Sequence, residues 1–177
     1  IRFSPSRLSD FEKCPVHWFI QNFGGDGSGF EASLGTLLHA ALEVSNTQSE
    51  LEAFIQSNWH TLEFEASWQE SGQKRKALNM AAALGAYLSE AGELVSAEQK
   101  FEVKIGGLVI AGKIDRVERD VAGGLRVVDL KTGKPPTADE VVSHRQLAVY
   151  QLAVKAQHGE SVAGGRIVSV GDQRLKV

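Results

Sequence analysis

Apolar positions recur with a helical period through the first half of the chain and with a strand period through much of the second. From Ser33 onward, Leu34, Leu37, Leu38, Ala41 and Leu42 follow the i, i+3, i+4 spacing of a buried helix face. Ser4-Pro5-Ser6 offers N-cap candidates for an earlier helix running to about Phe23, with Leu8, Phe11, Val16, Phe19 and Ile20 as its apolar positions. The run from Gly24 to Gly29 reads as a flexible loop, and two further helices are expected over Ser49–Thr61 and Lys74–Ala91. Beyond Gly92 the pattern changes to strands at Val95–Ile105, Leu108–Arg119 and Leu125–Lys131, with Gly106-Gly107 and Gly123-Gly124 as hairpin turns. Pro135-Pro136 breaks the chain, Ala138–Gln157 reads as one strong helix, and Gly165–Val170 as a last strand. No internal repeat or low-complexity segment is visible. The order predicts an α/β fold, a mixed sheet with helical cover and a helical N-terminal portion.

The second and third strands predict a β-hairpin carrying two carboxylates and a lysine on one face. Its sequence is Gly112-Lys-Ile-Asp115, then, after a short turn, Val127-Val-Asp129-Leu-Lys131-Thr-Gly133. Strand side chains alternate, so Asp129 and Lys131 point the same way, and directly opposed residues of an antiparallel pair share a face. A register that sets Asp115 against Asp129 also sets Val117 against Val127 and leaves Asp120 to Gly124 as the loop. Two carboxylates that close in a partly buried site repel each other unless one takes up a proton or a cation sits between them. That is the arrangement a hard divalent metal needs.

The acid-x-Lys pattern occurs three times, at Glu98-Gln-Lys100, Glu102-Val-Lys104 and Asp129-Leu-Lys131. The first two lie in a polar strand, where alternating charge is most simply a solvated face. Asp129 follows Val127-Val128, and Asp115 follows Ile110-Ala111 and Ile114, so both carboxylates are carried towards a core. Burying an unpaired charge is costly, which favours a partner or a metal. A structural salt bridge, Asp129 with Lys131 or Asp115 with Lys113, is the competing explanation.

Two further constellations stand outside the hairpin. His39 lies at the edge of the apolar face of its helix, one turn after Gly35, where a glycine leaves room for a close approach. A packed, hydrogen-bonded imidazole is the plainer reading of it, a metal ligand the sharper one. Gln146 and Tyr150 are spaced i, i+4 and share a helix face. They are either a core aromatic with a satisfied hydroxyl or two polar tips directed at a phosphate backbone.

Composition narrows the class. The 177 residues suit one domain with a real core, 1–92 forming a mainly helical part and 93–177 the sheet and late helix. A net charge of −3 argues against non-specific coating of nucleic acid, while leaving space for a local basic groove. The single cysteine, Cys14, excludes an internal disulfide and a self-contained multi-cysteine zinc site, and suggests a reducing, cytoplasmic setting. No apolar run approaches the roughly 18 residues of a membrane span, and no signal peptide is visible. The chain starts at Ile1 and stops at Val177 without a terminating feature, as expected of a domain excised from a longer protein.

Taken together, these motifs resemble the RecB-like branch of the PD-(D/E)XK nucleases, the nuclease modules of bacterial helicase–nucleases such as RecB, AddB and AdnB. The opening Ser4-Pro-Ser6-Arg-Leu8…Phe11-Glu-Lys-Cys14-Pro15…Trp18 is similar to the start of those modules. Leu34-Gly35-Thr-Leu-Leu38-His39 is similar to their histidine motif. Gly112-Lys-Ile-Asp115-Arg116 and Asp129-Leu-Lys131-Thr-Gly133 resemble the two catalytic strands, and Gln146-Leu-Ala-Val-Tyr150 the trailing Q-x-x-x-Y. The resemblance spans nearly the whole chain. Only the stretch around Trp59 to Trp68 matches nothing assigned.

The resemblance implies a restriction-endonuclease-like mixed β-sheet flanked by helices. It makes His39, Asp115, Asp129 and the backbone carbonyl of Leu130 metal ligands, with Glu98 as an outer acidic ligand. Lys131 would position or activate the attacking water, and Gln146 and Tyr150 would orient the phosphate strand. The implied cofactor is Mg²⁺ or Mn²⁺, since oxygen ligands suit the first and an imidazole makes the second acceptable. The implied activity is that of a metal-dependent deoxyribonuclease, the exonuclease module of a helicase–nuclease in double-strand break repair. Its partners would be single-stranded or unwound duplex DNA and a helicase motor in the same chain or a partner subunit, at the bacterial nucleoid and away from any membrane. Some relatives carry a four-cysteine iron–sulfur cluster. Cys14 occupies a first position, but no other cysteine follows within this chain: either the cluster is lacking, the favoured reading, in which Cys14 is a small buried hydrophobe, or its other cysteines lie beyond Val177. Two competing functions are a non-catalytic DNA-binding or scaffold module of the same fold, and a stand-alone or CRISPR-associated exonuclease of the same branch. Retention of His39, Asp115, Asp129 and Lys131 weighs against the scaffold.

Overall fold

The apolar stripe that begins at Leu34 becomes the buried face of helix α1 (Phe30–Val44), with Leu34, Leu37, Leu38, Ala41 and Leu42 all in the core. The computed structural model describes residues 2–5, 11, 14–16, 30–62, 64 and 67–177. It contains two compact units, one made of Ile1–Gly27, Leu94–Asp129 and Ala138–Arg166, the other of Ser28–Glu93, Leu130–Thr137 and Ile167–Val177.

Helix α1 belongs to the second unit, together with α2 (Gln48–Asn58), a 3-10 turn (Trp59–Thr61) and α3 (Ser67–Glu90). A capping box starts α2: Thr47 Oγ1 accepts from the Glu50 amide at 3.3 Å, and Glu50 Oε2 accepts from the Thr47 amide at 3.1 Å. Gly85 lets α3 approach the start of α2, because a Cβ there would collide with Gln48. The expected helix at Lys74 starts earlier, at Ser67. Its added turns are tied to the aromatic stretch that had no assignment. Trp59 is buried, its indole N–H donates to Glu70 at 3.2 Å, and the Lys74 ammonium lies 5.8 Å from its ring centroid. Trp59 is therefore a core aromatic that anchors α3.

The strands are β1 (Arg2–Phe3), β2 (Glu93–Ile105), β3 (Leu108–Arg119), β4 (Leu125–Lys131) and β5 (Val162–Ser169). Among the described residues they form one five-stranded sheet in the order β1-β3-β4-β5, with β2 also paired to β3. The pairing of β1 with β3 is parallel and that of β3 with β4 antiparallel, so the sheet is mixed as expected. With its helices this is a restriction-endonuclease-like fold. The β3–β4 loop is held by Asp120, whose Oδ1 accepts from the amides of Ala122 at 3.0 Å and Gly124 at 2.9 Å. Gly123, at φ +86°, supplies the left-handed residue the turn requires.

One expected helix is in fact two, α4 (Ala138–Val142) and α5 (Arg145–His158). Ser143 Oγ donates back to the Asp139 carbonyl at 2.9 Å, and His144 adopts an extended backbone with φ −72° and ψ 97°. A serine hydroxyl that competes for the helix's own carbonyls is one local cause of such a break. Restarting at Arg145 places Gln146 in the first turn of α5. This helix packs on the sheet through Leu147: a Cβ added at Gly165 of β5 would stand 3.2 Å from both Leu147 and Val127.

Most of the expected helix from Ser4 to Phe23, including Leu8, Trp18, Phe19 and Ile20, lies outside the described residues, as does the Gly24 to Gly29 loop. Phe11 and Val16, two of its apolar positions, are exposed. Cys14 is exposed too, beside exposed Pro15 and Val16, which corrects its reading as a buried hydrophobe. Among the described residues, no helix is long and apolar enough to cross a membrane.

Candidate active site

The β3–β4 ladder pairs Val117 with Val127 and Arg116 with Val128, the register the sequence pattern implied. One further step in that register sets Asp115 opposite Asp129. Asp129 is only 2% exposed and Asp115 is half-buried. The neighbouring Arg116 turns to the other face, where its Nε meets Glu118 Oε1 at 2.7 Å in a buried ion pair. Alternation thus divides β3 into a face with Asp115 and Val117 and a face held by an internal salt bridge.

Gln146 fixes the buried carboxylate. Its Nε2 donates to Asp129 Oδ1 at 2.9 Å and to the Tyr150 hydroxyl at 2.6 Å, so the two polar tips predicted to share a helix face meet each other and Asp129. Both Gln146 and Tyr150 are buried, and the Tyr150 ring packs edge-on against Phe101 with centroids 5.5 Å apart. Burial pushes the Tyr150 phenol well above its usual range; the Gln146 hydrogen bond opposes this, and the charges of Asp129, Asp115 and Glu98 reinforce it. The phenol therefore stays neutral and serves Gln146 as an acceptor.

Glu98 corrects one sequence expectation. It is not on a solvated face: its side chain is 17% exposed, and one of its carboxylate oxygens lies within 4.8 Å of one from Asp115. The cause is in the backbone, where Glu98 has φ +48°. A left-handed residue with a Cβ is strained and interrupts the alternation on which the surface reading depended. Glu98 Oε2 also pairs with Lys113 Nζ at 2.8 Å. Lys100, Glu102 and Lys104 do remain exposed, as expected of a solvated strand face.

In the second unit, Lys131 ends β4 two residues beyond Asp129 and is half-buried, with Leu130 buried between them. The space that Gly35 leaves on α1 is taken by Thr132, since a Cβ at Gly35 would stand 2.9 Å from Thr132 Oγ1. His39 lies one turn further along α1, half-buried. Its helix face is thus the one that meets the residue following Lys131.

The sequence profile of the PD-(D/E)XK nuclease superfamily matches residues 2–176. The chain belongs to the PD-(D/E)XK nuclease superfamily. Among solved structures, it is similar to a "Putative exonuclease" from Eubacterium rectale, with a TM-score of 0.58 and 19% sequence identity. That match covers 94% of this chain but only 66% of the Eubacterium rectale protein, and at such identity it speaks to the fold alone. No characterised protein sequence matches. PD-(D/E)XK nucleases use divalent metals, and the donors here fit one. Glu98 and Asp115, with carboxylate oxygens within 4.8 Å of each other, offer the hard ligand type that Mg²⁺ and Mn²⁺ select; Asp129 is not one of that close group.

Proposed function

We propose that this PD-(D/E)XK nuclease is a RecB-like module that hydrolyses DNA phosphodiester bonds with Mg²⁺ or Mn²⁺, as part of a bacterial helicase–nuclease. The observation that carries this reading is Asp129, buried at the end of a hairpin opposite Asp115 and held by Gln146. Such a pair of carboxylates calls for a cation. Asp115, Asp129, Glu98, His39 and the Leu130 carbonyl would hold it, and a divalent ion held there would supply positive charge to offset that building on the scissile phosphate and would make water a better nucleophile.

The chain's own residues do the rest. Lys131, on the face of Asp129, orients the attacking water and faces the phosphate charge that builds as the leaving oxygen departs. Because the hydrogen bonds of Gln146 run to Asp129 and Tyr150, both residues act on the phosphate strand by way of that carboxylate. Gln146→Ala should therefore weaken Mn²⁺ binding by about 10–100-fold, the usual cost of losing a group that orients a metal ligand. Calorimetric titration with Mn²⁺ alone would measure it.

The helicase context rests on the five ordered motifs. A stand-alone exonuclease is the second reading, favoured by the name of the Eubacterium rectale protein. End-labelled single-stranded, blunt and forked DNA, incubated with Mg²⁺, Mn²⁺ or EDTA, tests both. Cleavage restricted to single strands and forks fits a module fed by a motor; efficient digestion of blunt duplex fits a stand-alone enzyme. DNA binding without cleavage in either metal, together with no Mn²⁺ uptake, would leave only the scaffold function.

A further inference from the structure

We propose that Gly171, and the short C-terminal hairpin in which it lies, is a positioning element for Lys131; this rests on the nuclease reading above. The Lys131 carbonyl accepts a hydrogen bond from the Val170 amide at 3.0 Å. Beside it, the Gly171 backbone is pressed against Thr132 and Gly133: a Cβ at Gly171 would overlap the Gly133 carbonyl and stand 2.9 Å from the Thr132 carbonyl oxygen. At Gly35 the approach is looser and to a side chain: a Cβ there would stand 2.9 Å from Thr132 Oγ1. The segment following Lys131 is thus gripped through its main chain and through Thr132, at two glycines that no other residue could replace without displacement.

The hairpin has its own supports. Ser169 and Lys176 exchange backbone hydrogen bonds of 2.8 and 3.0 Å, and the Gln173 amide donates to the Val170 carbonyl at 2.8 Å. Gln173 has φ +58°, and its side-chain Oε1 accepts from Asn79 Nδ2 of α3 at 2.8 Å. A continuous run of contacts therefore leads from α3 through the hairpin to the backbone of Lys131. A lysine is a point charge on a flexible four-carbon stem, so the protein can aim it chiefly by fixing its main chain. An overlap with a carbonyl cannot be relieved by a rotamer change, so a methyl group at position 171 must move the Thr132–Gly133 main chain.

Single-turnover cleavage with excess enzyme and Mn²⁺ tests this in a double-mutant cycle. Gly171→Ala should lower the cleavage rate by about 10–100-fold, the scale of a roughly 1 Å misplacement, while Mn²⁺ affinity and half-saturating DNA stay within about twofold. In a Lys131→Ala background the same change should add less than about twofold, because the group it misplaces is already gone. An equal loss in both backgrounds, or a parallel fall in Mn²⁺ affinity, overturns the proposal. Should Gly171→Ala fail to fold, Gln173→Gly keeps the left-handed backbone and releases Asn79. Its expected loss is about 3–10-fold, again absent without Lys131. A wild-type protein inert on DNA would instead remove the nuclease reading itself.

Discussion

Asp129→Asn should reduce metal-dependent cleavage by on the order of 10³-fold, a loss of about 4 kcal/mol of transition-state stabilisation. The substitution is close to isosteric, and asparagine Oδ1 can still accept from Gln146 Nε2, so the packing around the site has no reason to change. Without metal the variant should be at least as stable as the wild type, because a buried negative charge has been removed. The two should separate once Mn²⁺ is added. At 100 times its dissociation constant the ion would stabilise the wild type by about 2.7 kcal/mol by mass action, and the variant far less. Thermal unfolding with and without Mn²⁺ reads this directly. A variant that gains as much from Mn²⁺ as the wild type would show that Asp129 is not a ligand. A variant that is destabilised without metal would show that the charge serves a structural pair.

The hairpin was legible in the sequence because everything that defines it is local. Alternation sorts Asp115, Val117, Val127 and Asp129 onto one face, Gly123 permits the turn, and burial of the Val117–Val127 pair resists a one-residue slip. The parts that escaped depend on contacts between distant segments. Spacing placed Gln146 and Tyr150 on one helix face, but not their target, which is set by where α5 lands on the sheet. Two β-branched valines before Ser143 did not announce that the helix would stop there and restart. Glu98 is the instructive failure: the polar alternation around it is genuine, yet its left-handed backbone departs from the strand with no glycine to signal it. Nor does any pattern in the sequence connect Gly171 to Gly133, since that contact is main chain against main chain. The strongest sequence signals therefore marked the acidic hairpin, while its supports emerged only with the fold.

Lys131→Met should give the opposite signature to Asp129→Asn. Removal of a preorganised cation aimed at developing phosphate charge should slow cleavage by about 10²–10³-fold. Mn²⁺ binding should stay the same or tighten, because a like charge on the face of Asp129 has been taken away. Lys131→Arg should not restore the rate, since a planar guanidinium cannot reproduce the position of a compact ammonium. The same variant also addresses the salt-bridge explanation of Asp129 and Lys131. If Lys131 existed to neutralise the buried Asp129, its loss would strand that carboxylate and cost about 3–5 kcal/mol of folding stability. On the catalytic assignment, denaturant unfolding of Lys131→Met should stay near wild type, because Gln146 still bonds Asp129 and the methionine stem replaces the lysine stem. Cleavage and stability lost together would return the hairpin to a structural ion pair. Lost cleavage with intact stability and Mn²⁺ binding would place Lys131 at the reacting phosphate.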